Sequence, residues 1–124
     1  MKRDMETVKK ILLFCEGHKS WPNSFFIEEG QIEGLSHNEI QFHLKIMTQA
    51  GLIETKEAND QQSAWYQVFN LTWQGCEFLD NAREPKVWNA AMKYAGHLSW
   101  GVFTSVLSQV AGEFATKYVM DSVS

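Results

Sequence analysis

The sequence lacks the features that mark secreted, membrane-spanning and metal-binding proteins. Its two cysteines, Cys15 and Cys76, do not have the spacing of metal ligands, and each lies in an apolar helical pattern, so we expect two buried thiols in a reducing compartment. The least charged stretch, Leu98 to Gly112, is about 15 residues long and falls short of the roughly 18–20 residues that a spanning helix needs. The charged start MKRDMETVKK and the short apolar run behind it do not form a secretory signal. These absences predict a soluble, cytoplasmic protein.

Positive charge is also scarce. The chain has 11 Lys and Arg residues against 15 Asp and Glu residues, a formal net charge of −4. Nucleic-acid-binding proteins usually carry a basic excess, because contacts to phosphates supply most of their non-specific affinity. The overall charge therefore does not by itself indicate a nucleic-acid partner.

Recognisable catalytic motifs are missing as well. The sequence has no Gly-x-Ser-x-Gly elbow, no glycine-rich phosphate loop and no cysteine with a plausible nearby histidine. His37 and His43 are six residues apart and do not share a helix face, while Glu28 and Glu29 would point to opposite faces of a strand. We therefore expect a protein that is not an enzyme, with no metal site and no cofactor.

The segment Ser36 to Ile53, SHNEIQFHLKIMTQAGLI, carries the clearest structural pattern. Ser36 and Glu39 have the spacing of a capping box, which predicts a helix beginning just after Ser36. Ile40, His43, Leu44 and Met47 recur every three or four residues and form one inward face, and Gly51 supplies the left-handed residue that ends the helix. A β-branched run follows at once. A helix, a strand, a polar loop and a second strand in this order are typical of a winged helix-turn-helix domain.

The rest of the chain fits the same architecture. With 124 residues, 44% of them apolar and 13% aromatic, the chain is long enough for one domain with a short appendage. Before Ser36 there is room for about one helical turn, where the usual pattern has a complete second helix. The predicted elements are a helix Asp4–Gly17, a strand Ser24–Glu29, a hairpin of Leu52–Glu57 and Trp65–Leu71 around a polar loop, and helices Thr72–Arg83, Lys86–Ala95 and Ser99–Met120. We predict a mainly α (α+β) winged-helix domain in residues 1–84 and a helical extension in residues 85–124.

Three motifs also resemble a particular protein family. The start MKRDM, the run from Ser36 to Glu54, and LTWQGCEFLDNAR (residues 71–83) followed by Trp88 resemble a domain-of-unknown-function family of small bacterial and prophage-encoded proteins. The Leu71-Thr72-x-x-Gly75 step also resembles the post-wing helix cap of many bacterial winged-helix proteins. The resemblance covers residues 1 to about 95. It implies a bacterial or phage origin and a winged-helix fold, and it brings no established substrate, cofactor or catalytic residue.

Two functions are compatible with this fold. In a DNA-binding regulatory factor, Gln41, Lys45 and Gln49 would face the bases, as amide and ammonium groups do in major grooves. The same outward face would offer His37 and Asn38, and phosphates would be contacted by Lys2, Arg3 and Lys56. Against this, only Lys45 and Lys56 are basic between Gly34 and Leu71, compared with four acidic residues. The alternative is a protein-interaction module that keeps the fold and binds no DNA.

The C-terminal segment has two interpretations of its own. An apolar seam at three- and four-residue spacing comprises Trp100, Phe103, Leu107, Val110 and Phe114. Leaving these side chains in water would be unfavourable by about 2–3 kcal/mol each, so a partner surface must cover them. Either the helix packs back onto its own domain, or it pairs two copies in a homodimer. Ser105, Ser108 and Gln109 opposite the seam argue against membrane insertion.

Overall fold

The computed structural model describes the backbone of residues 1–123 and the side chains of residues 1–117. The described elements are α1 (Met5–Gly17), α2 (His37–Gln49), β1 (Ile53–Glu57), β2 (Tyr66–Leu71), α3 (Trp73–Ala82), α4 (Pro85–Ala95) and α5 (Trp100–Val123). The fold is mainly α with an antiparallel hairpin, as the sequence predicts. Two compact units, Met1–Cys76 and Glu77–Ser124, divide the chain inside α3. The sequence places that division later, at the Glu84–Pro85 junction.

The hairpin gives the first unit its winged-helix-like character. β1 and β2 pair in antiparallel register from Ile53 with Leu71 to Glu57 with Tyr66. The predicted strand Ser24–Glu29 is wrong in extent, because only Phe25 forms a bridge, exchanging backbone hydrogen bonds of 3.0 and 2.8 Å with Val68. Beyond Ile27 the chain turns away from the sheet, since the side-chain oxygen of Gln31 accepts the Glu28 amide and Gly30 has a φ of +94°.

Turns occupy the place of the second helix in a typical winged-helix domain. Residues 18–36, which we call the turn segment, are all described and contain no helix. This agrees with the room for about one turn that the sequence allows. The Gln31 amide donates to the Glu28 carbonyl and the Leu35 amide to that of Ile32, and Gly34 has a φ of +83°. Ile32 and Leu35 are buried, so two apolar anchors hold these turns in place of a helix face.

Helix α2 begins and ends as its local sequence dictates. The Ser36 hydroxyl accepts from the Glu39 amide and the Glu39 carboxylate accepts from the Ser36 amide, both at 3.2 Å, which completes the capping box. At the other end Gly51 has a φ of +76°, and the Leu52 amide donates to the Met47 carbonyl. The first unit's core is formed by α1, α2, the strands and the turn segment, with Val8, Ile11, Leu12, Ile27, Ile40, Leu44, Met47, Ile53 and Val68 all nearly inaccessible to solvent.

The start of α3 packs so closely that its exposed face differs from the predicted one. A Cβ atom on Gly75 would lie 2.0 Å from the carbonyl oxygen of Leu52. The Thr72 hydroxyl accepts from the Gly75 amide and donates to the Gly51 carbonyl. Because Gly75 faces inward, Trp73 and Cys76 lie outward, and the prediction that Cys76 is buried is wrong. Cys15 is buried as predicted, and this burial raises the pKa of its thiol to about 12.

The second unit is built around aromatic contacts between α4 and α5. Glu84 caps α4 by accepting a hydrogen bond from the Lys86 amide, and Pro85 occupies the first turn of this helix, which the sequence predicts over Lys86–Ala95. The indole of Trp88 contacts Phe103 edge-on at 5.4 Å between ring centroids, and Phe78 stacks on Trp100 at 5.3 Å. Trp88 and Phe103 are fully buried.

Among the described residues no helix is both long and apolar enough to cross a bilayer.

Candidate nucleic-acid interface

The first four residues form an arm that is fixed against α2. The Asp4 amide donates a 3.0 Å hydrogen bond to Nε2 of His43, and Nδ1 of His43 donates to the Glu39 carbonyl at 2.7 Å. These partners fit a neutral imidazole with its proton on Nδ1, since Nε2 must accept. The Asp4 carboxylate also caps α1 by accepting from the amides of Glu6 and Thr7. The arm therefore leaves α1 along a path set by a buried histidine of α2.

This path brings the chain start to a shallow cavity beside α2 and the hairpin. The cavity has a volume of about 380 Å³. Met1 of the arm lines it together with four residues of α2, which are Asn38, Gln41, Phe42 and Lys45. Glu57, Asn59, Ala64 and Tyr66 line the hairpin side, and Lys2 and Arg3 are exposed in the arm just after Met1. The outer face of α2 thus adjoins a basic chain start on one side and the hairpin on the other.

Most of the predicted DNA-contacting residues do lie at the surface. The exposed ones are Asn38, Lys45, Gln49, Lys56, Lys2 and Arg3. His37 is half-buried, because its Nε2 lies 2.9 Å from the carbonyl oxygen of Ala64 and its ring contacts Trp65 edge-on at 4.5 Å. The structure therefore brings Asn38 and Lys45 to one cavity with the arm, while His37 is held against the end of the hairpin loop.

Gln41 is the exception, and its predicted role as a base-facing residue is wrong. Its side chain is buried, with the amide nitrogen donating to the Ile27 carbonyl at 3.1 Å and the amide oxygen accepting from the Tyr66 amide at 2.8 Å. Gln41 joins three segments of the chain by satisfying two backbone groups. Nothing in the local spacing indicates this, because both partners are distant in sequence.

Sequence reasoning also missed residues that the cavity brings together. Met1, Phe42 and Tyr66 line it, although the spacing along α2 indicates only the inward face and the polar outward face.

The hairpin loop is more ordered than its polar composition suggests. The Asp60 carboxylate accepts from the amides of Gln62 and Ser63 at 2.8 and 2.7 Å. These two hydrogen bonds lower the pKa of Asp60 below its usual value, and the one from Gln62 has the larger effect.

The predicted dimerisation seam divides into a covered part and an accessible part. Phe103 and Leu107 are fully buried, so of the two interpretations of the seam the pairing of two copies is wrong for these two residues. They face inward because α5 packs on α4 over this stretch, as the contact between Phe103 and Trp88 shows. Trp100, Val110 and Phe114 are half-buried.

Among the residues that the structure describes, no group of three or more His, Cys, Asp or Glu side chains could hold a metal ion.

Comparison with known proteins gives a family and no activity. No solved structure matches the chain. A protein of Haemophilus influenzae described as "Uncharacterized protein" is 30% identical over 111 residues, which are 90% of this chain and 92% of that protein. Residues 2–100 match the model of the family described as "Hypothetical protein (DUF2513)". Apart from Met1, these residues include the three motifs on which the resemblance rests and all of the first unit. The chain belongs to the DUF2513 family.

Proposed function

We propose that the protein is a non-enzymatic regulatory factor that binds double-stranded DNA through the outer face of α2 and the N-terminal arm. The observation that carries this proposal is the hydrogen bond between the Asp4 amide and His43, which fixes the arm next to α2. It places the chain start in the same cavity as Asn38 and Lys45. An α-helix of this length fits a major groove, and a basic arm beside it can contact the flanking phosphates.

Three exposed cations support the assignment of this face. Lys2, Arg3 and Lys45 lie on the arm and the outer face of α2, and all three are exposed. Asn38 and Gln49 add exposed amide groups on the same helix, which can pair with adenine edges. These three cations and two amides are the groups that support the proposal in a chain whose net charge is −4.

The same surface predicts weak and salt-sensitive binding. Glu57 lines the cavity opposite Lys45, so it would lie close to a bound phosphate backbone. With three cationic contacts, from Lys2, Arg3 and Lys45, the logarithm of the affinity should fall against the logarithm of salt concentration with a slope of about −2.7. We therefore expect measurable binding at about 50 mM salt and little at physiological salt.

Fluorescence anisotropy with a labelled duplex of about 24 base pairs tests the proposal. Lys45→Ala, and Lys2→Ala with Arg3→Ala, should each weaken binding about five-fold or more, and Lys45→Ala should reduce the salt slope by about 1. Lys19→Ala removes the same charge from an exposed loop site away from this face and serves as the matched control. Equal losses in all variants, or no binding at low salt, would rule out the proposed interface.

We further infer that the accessible part of the α5 seam pairs two copies of the chain. Val110 and Phe114 continue the spacing of the buried Phe103 and Leu107, yet both remain half-buried. Val102 on the same helix is 45% exposed. Two-fold pairing is the commonest symmetry of soluble oligomers, and it would present two copies of α2 to a palindromic site.

A further inference from the structure

A second surface of the first unit has a chemistry opposite to that of the proposed DNA face. Phe26 and Trp65 form the walls of a groove beside the hairpin loop, with their rings perpendicular and 5.7 Å apart between centroids. Glu28 and Ala58 complete the lining of this groove, which has a volume of about 280 Å³. We call it the wing groove. Phe26 is 41% exposed, a large fraction for an aromatic ring whose neighbours are ordered.

The walls of the wing groove are held in place by several hydrogen bonds. The Trp65 amide donates to the side-chain oxygen of Asn59 at 2.9 Å, and the Trp65 carbonyl accepts from the Ala58 amide at 2.9 Å. His37 also contacts the Trp65 indole edge-on, at 4.5 Å between ring centroids. A ring fixed in this way loses little conformational freedom on binding a ligand.

Carboxylates surround these rings. Glu28 lines the wing groove, and none of its lining residues is basic. Glu29 is close by, since its carboxylate accepts from the His37 amide at 3.0 Å. Asp60 of the hairpin loop is a further carboxylate, and backbone hydrogen bonds from Gln62 and Ser63 lower its pKa. An electron-rich aromatic cleft with a carboxylate in its lining is complementary to a cation and repels phosphate.

We propose that the wing groove binds an arginine side chain from an extended segment of a partner protein. The guanidinium plane would stack on the Trp65 indole, with the perpendicular Phe26 ring beside it, while its N–H groups donate to the Glu28 carboxylate. Arginine fits better than lysine because its planar group both stacks on aromatic faces and pairs with carboxylates in a fork geometry. The site does not depend on DNA binding, since it uses a different set of residues.

Titration of ¹⁵N-labelled full-length protein with a short peptide tests this proposal. The probe is a blocked Gly-Ser-Arg-Ser-Gly peptide, with citrulline and lysine in place of arginine in two matched peptides. We expect a saturable shift of the Trp65 indole N–H signal, assigned with Trp65→Phe, with a Kd on the order of 1 mM. Citrulline keeps the shape of arginine without its charge, so its peptide should bind at least about five-fold more weakly. Equal binding of the citrulline or the lysine peptide would overturn the proposal.

Paired substitutions separate the groove from general attraction to an acidic protein. Glu28→Gln and Phe26→Leu should each weaken the arginine peptide about five-fold, with the rest of the spectrum unchanged. Glu54→Gln removes an exposed carboxylate of β1 outside the groove, and Phe69→Leu removes an exposed ring of β2 outside it. Both controls should bind like the original chain. Equal losses in the paired variants would show a non-specific interaction and overturn the site.

Discussion

At the scale of single residues, Gln41 shows how a polar side chain can hold a small domain together. Its amide satisfies the backbone carbonyl of Ile27 and the backbone amide of Tyr66, which come from the turn segment and from β2. The two hydrogen bonds of Gln41 connect both backbone groups to α2. Removing this amide would leave buried polar groups unpaired, and such groups are more unfavourable than the loss of a typical exposed hydrogen bond.

We therefore predict that Gln41→Leu lowers the free energy of unfolding by about 2 kcal/mol. The leucine has a similar volume, so the effect comes from the two orphaned backbone groups and not from a cavity. Urea denaturation followed by circular dichroism measures it. Gln49→Leu makes the same change at an exposed site of α2 and should alter stability by less than about 0.5 kcal/mol. Similar stabilities for the two variants would contradict the role assigned to Gln41.

Asp60 gives a prediction about pH at the same scale. Backbone hydrogen bonds from Gln62 and Ser63 lower its pKa in the folded chain, so the unfolded chain binds the proton more readily. The stabilisation by Asp60 is therefore complete above the unfolded pKa of about 3.9 and is lost as the pH falls through the lower folded value. Asp60→Asn should be less stable than the original chain at pH 7, and the difference should shrink below pH 4. A difference independent of pH would show that ionisation is not involved.

At the scale of elements, local chemistry explains what could be predicted from the sequence. The capping box of α2, the glycine at its end, the polar hairpin loop and the proline of α4 each depend on residues within a few positions of one another. Their bounds in the structure differ from the predicted ones by a few residues at most. The spacing misplaces Gln41 and leaves two interpretations open for Phe103 and Leu107, because distant segments decide which side of a helix is covered. The spacing of apolar residues shows that a helix has an inward face, but it does not show which segment packs against that face.

The junction of α3 with β1 gives a prediction for an element. Gly75→Ala would place a Cβ atom 2.0 Å from the backbone oxygen of Leu52, and this oxygen belongs to the entry of β1 and cannot rotate away. We expect a loss of at least about 2 kcal/mol of unfolding free energy. Gly101→Ala is the matched control, because a Cβ atom there meets nothing within 4 Å inside α5. Alanine should stabilise that helix by up to about 1 kcal/mol, so the two substitutions have opposite signs in a thermal or urea unfolding series.

At the scale of the whole molecule, the two surfaces of the first unit would divide the two proposed functions between them. The arm and α2 present cations, while the wing groove presents aromatic rings and carboxylates. A nucleic acid and a cationic partner segment would therefore not compete for the same residues. No residue of the second unit belongs to either surface. The accessible apolar residues of α5 suggest that the second unit serves in assembly.

The remaining prediction concerns that assembly. If the accessible part of the α5 seam pairs two copies, light scattering during size-exclusion chromatography should give a mass near twice the 14.3 kDa of one chain. Phe114→Glu should shift the protein to the monomer, because a carboxylate cannot enter an apolar contact without a partner. Thr116→Glu introduces the same charge at an exposed site of α5 and should leave the dimer intact. Point substitutions are needed here because truncation near Gly96 would also remove Phe103 and Leu107 from the core. A monomeric original chain, or equal dissociation by both variants, would show that the seam only closes its own unit.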